Sequence, residues 1–133
     1  MQYSVAVRNA KLDALEATIG PNAILRIYSG SMPTNVAAAR TGTVLATINL
    51  PADWMADAVN GTVSKAGDWE DGSADASGVA GYFTIFSSDG VTAHNQGTIG
   101  LDGTGSDMTI DSVNFTMGQR FTVTSFSITA GNA

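Results

Sequence analysis

The sequence predicts an all-β domain, an antiparallel β-sandwich with the jelly roll as one form of it, carrying one N-terminal helix. Three observations lead there. After Pro21 the apolar residues recur mainly at every second position. Turn signals built from Gly, Pro, Asn and Asp are often 8–15 residues apart, giving seven or eight strands. Two of those strands reverse their own alternation midway, as strands do where they bend at the corner of a sandwich. The chain has 133 residues, enough for one domain with a sizeable core. Its organisation reads as a helix over 1–20 followed by a single β-sandwich domain over 21–133.

The helix spans 4–19. Val5, Leu12, Leu15 and Ile19 are separated by seven, three and four positions, which places them on one side. Gly20-Pro21 ends it, because Gly permits a left-handed exit and Pro cannot continue a helix. The stripe serves either the chain's own core or a neighbouring subunit. Ala23–Ser29 then reads as a strand, Pro33–Arg40 as a loop with one helical turn at 36–39, and Thr43–Leu50 as a strand. In that last strand Val44, Ala46, Ile48 and Leu50 point inward and Leu45 outward. Pro51 stops it. The stretch 52–60 carries Trp54 and Met55 without a clear period, and Gly61–Ala66 is a short strand heading towards Trp69.

Asp71–Ala80 is a loop of small and acidic residues. Gly81–Ser87 is rich in aromatic and β-branched types and reads as a strand. Ser88-Asp89-Gly90 forms a hairpin turn, and Val91–Gly100 returns from it. Leu101–Ser106 turns again into Met108–Phe115, and Arg120–Ala130 is the final strand. Met108 and Ile110 are out of phase with Val113 and Phe115; Phe121 and Val123 are out of phase with Phe126 and Ile128. Bulges or bends near 111–112 and 124–125 restore them to one side. The expected core is Leu25, Ile27, Val44, Ile48, Phe83, Ile85, Ile110, Phe121, Val123 and Phe126.

Composition bounds the chemistry. No Cys is present, so disulfides, thiolate metal sites and a cysteine nucleophile are excluded. Charged residues make up 14% and the net charge is −6, which argues against nucleic acid and anionic membranes as partners. The six basic residues are scattered. The N-terminus lacks the pattern of a signal peptide, so synthesis in a cytoplasm without export by that route is expected. His94 is the only histidine; any Ser–His–Asp triad must use it, and no Gly-x-Ser-x-Gly elbow surrounds a serine. Asp68, Glu70, Asp71 and Asp75 lie close together, and Asp102 and Asp107 flank a Gly-rich turn, but neither group has the order of an EF-hand. They read as solvated acidic loops. Trp54 and Trp69 read as core or interface packing before sugar platforms. No catalytic, metal or cofactor-binding residue is assigned, and no cofactor is expected.

Five segments, Ile24–Gly30, Gly42–Ile48, Pro51–Met55, Tyr82–Gly90 and Phe126–Gly131, resemble in order a family of small β-rich virion proteins of tailed bacteriophages. Together they span most of 23–131. The resemblance implies a non-enzymatic structural component of the particle, a capsid decoration or cement protein in the first instance. Its partners are then the major capsid protein or other virion proteins, with further copies in a homo-oligomer, and its location is the virion. Candidate partner contacts are Val5, Leu12, Leu15, Trp54 and Trp69. A neck, tail or fibre component and a carbohydrate-binding module are the alternatives; an enzyme is not expected.

Overall fold

The computed structural model describes residues 1–131. It is mostly β with one helix. Helix α1 (Val5–Ile19) is capped by Ser4, whose hydroxyl accepts from the Val7 N–H, and is closed by Gly20 at φ +94°, whose N–H donates to the Glu16 carbonyl. Nine strands follow: β1 (Ile24–Ser29), β2 (Val44–Asn49), β3 (Thr62–Ser64), β4 (Glu70–Asp71), β5 (Gly78–Phe86), β6 (Ala93–Gly100), β7 (Met108–Ile110), β8 (Asn114–Phe115) and β9 (Phe121–Thr129). They form one sheet in the order β2-β1-β5-β6-β7-β9-β3, with β4 on β9 and β8 on β5.

The expected antiparallel arrangement fails at one ladder. Strand β7 runs parallel to β6, pairing Ile99 with Met108 and Gly100 with Thr109. The segment 101–107, read from sequence as a turn between strands, doubles back far enough to start alongside the end of β6. Asp107 holds it there: its carboxylate accepts from the N–H and hydroxyl of Thr98 at 2.9 and 3.0 Å. Gly100 leaves room for the return: a Cβ there would lie 2.5 Å from the Ser106 hydroxyl oxygen, which would have to turn away. The strands form a single hydrogen-bonded path rather than two separate sheets. That path curls, so that Phe83 of β5 meets Phe126 of β9 edge to face at 5.5 Å although three ladders separate them.

The bends fall where the alternation breaks. Thr109 faces Ser125 and Ile110 faces Val123, leaving Thr124 as the extra residue of a bulge. The expected strand Met108–Phe115 is interrupted after Ile110, and its two pieces pair with different partners, β9 and β5. An unforeseen bulge in β2 corrects the reading of Leu45. Ala46 pairs with Ile27 and Val44 with Tyr28, so Leu45 turns into the main core and is fully buried. Val44 instead packs on the outer face, beside the stacked Tyr28 and Tyr82 rings. The other nine expected core residues are buried in the main cluster. The helical turn expected at 36–39 is absent. Asn35 forms a turn there, and its carbonyls wrap Arg40, which reaches Thr84 and Gln96 at 2.8 Å.

The aromatic chain Trp54–Trp69–Phe126–Phe83 joins the limbs of the curl, with ring centroids 5.5–6.1 Å apart at each step. Phe126→Ala is expected to remove about 3–5 kcal/mol of stability, since the rings around it cannot close the void. Val79→Ala, on an exposed strand position, should stay within about 0.5 kcal/mol. Urea denaturation of both variants checks the difference.

Candidate functional site

Helix α1 is tied to its own domain along its length by side chains that no partner is needed to satisfy. The Arg8 Nε donates to the Ala130 carbonyl at 2.8 Å. Asn9 accepts the Gly61 N–H, and Asp13 accepts the Ala58 N–H. Burial, and then the neighbouring Asp53 carboxylate, raises the Glu16 pKa, while the N–H groups of Met55 and Trp54 oppose the shift. Leu12 and Ile19 enter the core. The stripe read from sequence therefore divides: Leu12 and Ile19 serve the domain, whereas Val5 (47% exposed) and Leu15 (38%) remain outside, because the helix meets the sheet along a narrower line than the spacing suggested.

Trp54 and Trp69 are also interior. Both are essentially fully buried, and each indole N–H is satisfied within the chain, by Gly20 and Ala66 carbonyls respectively. Among the five candidate contacts, Leu12, Trp54 and Trp69 are thus corrected to core residues. Neither indole face is open to stack on a sugar.

Between α1, β6 and β9 lies a cleft of about 500 Å³. Leu15, Ile19, Phe83 and Phe126 supply its apolar lining; His94, Asn95 and Gln96 stand on the β6 side, and Ser127–Thr129 on the β9 side. Asp107 also lines it. Gly97 makes room for this arrangement, since a Cβ there would lie 2.8 Å from both the Phe83 ring and the Asp107 carboxylate. Sequence reasoning singled out Leu15 but not Gln96, Ser127 or Thr129, which come together only through the fold.

His94 is exposed, and its Nε2 lies 2.8 Å from the Ser87 hydroxyl across the β5–β6 hairpin. This is the first contact of a nucleophile–base pair. Asp89 spends Oδ1 on the N–H groups of Val91 and Thr92 and Oδ2 on the Thr92 hydroxyl, closing the hairpin turn. The acidic residues around 68–75 are similarly dispersed: Glu70 pairs with Arg120, while Asp71 and Asp75 bind Thr47. Among the described residues no group of three or more His, Asp or Glu converges as a metal site.

No family model matches the chain, and neither the curated proteins nor the solved structures contain a significant match.

The three bonds from Thr92 and Val91 hold the Asp89 carboxyl at about 2, below its usual 3.8. An acid depressed in this way contributes stability above its unfolded pKa and loses it as pH falls through the folded value. Acidification from 3.8 to about 2 is therefore expected to speed amide exchange at Val91 and Thr92. Asp89→Ala should show fast exchange there at every pH, with no step in that window.

Proposed function

We propose that this chain is a non-enzymatic structural protein of a phage particle, a decoration or cement protein that bridges subunits of the major capsid protein. The observation that carries the reading is the ordered resemblance over 23–131, four of whose five segments fall on β1, β2, the end of β5 with its turn, and the end of β9, while Pro51–Met55 lies in a loop. The physical character of the surface supports it. The core closes without Val5, Val7, Leu15, Val59, Val79, Val91 and Met117, all of which are exposed. With few charges available, such a surface adheres through apolar and hydrogen-bonding contacts that salt weakens little. Repetition over a lattice multiplies weak contacts, so modest affinity per copy suffices. Further copies acting as a homo-oligomer, and location on the virion, belong to the same proposal. The facing of two sheet limbs through Phe83 and Phe126 likewise supports reading the curl as a form of the two-layer sandwich, with a jelly-roll outline as its finer version.

Particles lacking the protein are expected to rupture at lower temperature than decorated ones. Equal rupture temperatures would favour a neck, tail or fibre position. Val5→Asp combined with Leu15→Asp should leave the melting temperature nearly unchanged and weaken particle binding at least about tenfold. Leu12→Asp should instead unfold the domain, since an unpaired buried charge costs about 3–5 kcal/mol. Pelleting with purified particles, alongside thermal melts, separates the two effects.

A further inference from the structure

Asn60-Gly61 is the only Asn-Gly pair in the sequence. It forms the two-residue loop of a tight hairpin leading into β3. The Val59 N–H donates to the Thr62 carbonyl at 2.9 Å, and the Thr62 N–H returns to the Val59 carbonyl at 3.0 Å. Both loop residues have positive φ, +51° and +74°, which Asn and Gly tolerate better than other residues. The same pair is also the one most open to spontaneous attack on its own side chain, because glycine places no Cβ beside its nitrogen. In that reaction the Gly61 nitrogen loses its proton to solvent base and attacks Asn60 Cγ. A C–N bond closes a cyclic imide, and the side-chain nitrogen leaves as ammonia after taking up protons from water. Water then opens the imide at either carbonyl, giving aspartate or isoaspartate. Water is the only co-reactant, and ammonia is the only group released.

The fold treats the two reacting residues oppositely. Asn60 is exposed, whereas Gly61 is buried and held on three sides. Its N–H donates to Asn9 Oδ1 of α1 at 2.8 Å, and its carbonyl accepts from the Ala130 N–H at 2.9 Å. The Arg8 guanidinium stands over its α-carbon, so near that a Cβ there would lie 2.4 Å from the guanidinium carbon. Arg8 is itself fixed by its bond to the Ala130 carbonyl at 2.8 Å. Ring closure requires the Gly61 nitrogen to give up its proton and to swing onto Asn60 Cγ. Loss of the proton removes the bond to Asn9, and the swing pulls Gly61 away from Ala130 and Arg8.

We propose that Asn60 is a latent deamidation site of this chain, and that docked α1 keeps it closed by holding the Gly61 N–H through Asn9. The site opens when α1 lifts from the β3 turn. Conversion runs one way. The isoaspartyl product adds a methylene to the main chain between Val59 and Thr62, whose mutual bonds need a two-residue loop. The altered turn no longer presents Gly61 to Asn9, so conversion loosens the helix that held it back.

Peptide mapping by mass spectrometry follows the amide-to-acid conversion at Asn60 in the full chain held in neutral buffer. The folded chain should convert at least about tenfold more slowly than the same chain unfolded in urea. Asn9→Ala should raise the folded rate about threefold to tenfold, the effect of one neutral hydrogen bond, with a thermal melt confirming that the domain is folded. Asn9→Asp keeps an acceptor for the Gly61 N–H and should keep the slow rate. A second arm needs no variant and stands even if Asn9→Ala fails to fold. Below the unfolding transition, rising urea should speed Gly61 amide exchange and Asn60 conversion in parallel. Conversion as fast in the folded as in the unfolded chain overturns the proposal. So does a folded Asn9→Ala chain that converts at the original rate, or equal acceleration by Asn9→Ala and Asn9→Asp. Conversion that stays flat while Gly61 exchange rises overturns the role of α1.

Discussion

The contact between Phe83 and Phe126 is the constraint on which the rest of the domain depends. These rings sit on strands separated by β6 and β7 in the sheet, so they can touch only if the sheet curls back on itself. Strand twist supplies a tendency to curl, and the bulge at Thr124 supplies the local bend. Gly97, directly across from Phe83 in β6, leaves space for the ring by having no side chain. Trp69 then packs on Phe126 and Trp54 on Trp69, carrying the aromatic core to the helix end, where the Trp54 indole donates to the Gly20 carbonyl. A large part of the apolar core thus depends on one cross-sheet approach.

Helix α1 belongs to that core through Leu12 and Ile19, yet its position is set as much by polar contacts. Arg8, Asn9 and Asp13 each bond to backbone at the β3 turn or the end of β9. Directional bonds of this kind specify register along the helix, which two apolar residues alone leave loose. The consequence is a helix whose remaining apolar residues, Val5 and Leu15, are released to solvent. One of them, Leu15, lines the cleft between β6 and β9.

Carboxylates and backbone from neighbouring loops cover β2 and β3. Strand β7 is short, and Asp107 just before it is held to Thr98 of β6 by three bonds, which fixes where the parallel ladder begins.

Period-two alternation, turn residues and phase reversals were enough to identify a mostly β chain, the helix limits, the Ser-Asp-Gly hairpin, nine of ten core residues and the two bends. These features are local, so neighbouring residue types encode them. The parallel β6–β7 ladder, the inward turn of Leu45, the division of the helix stripe and the choice of core over interface for both tryptophans were decided by tertiary structure. Each depends on which distant segment arrives alongside, and alternation is the same for a parallel or an antiparallel partner. Of the candidate contacts, Val5 and Leu15 lie exposed, which the spacing of the helix stripe alone did not reveal. The lining of the cleft between α1, β6 and β9 is assembled from three distant segments, so only the fold shows which residues meet there.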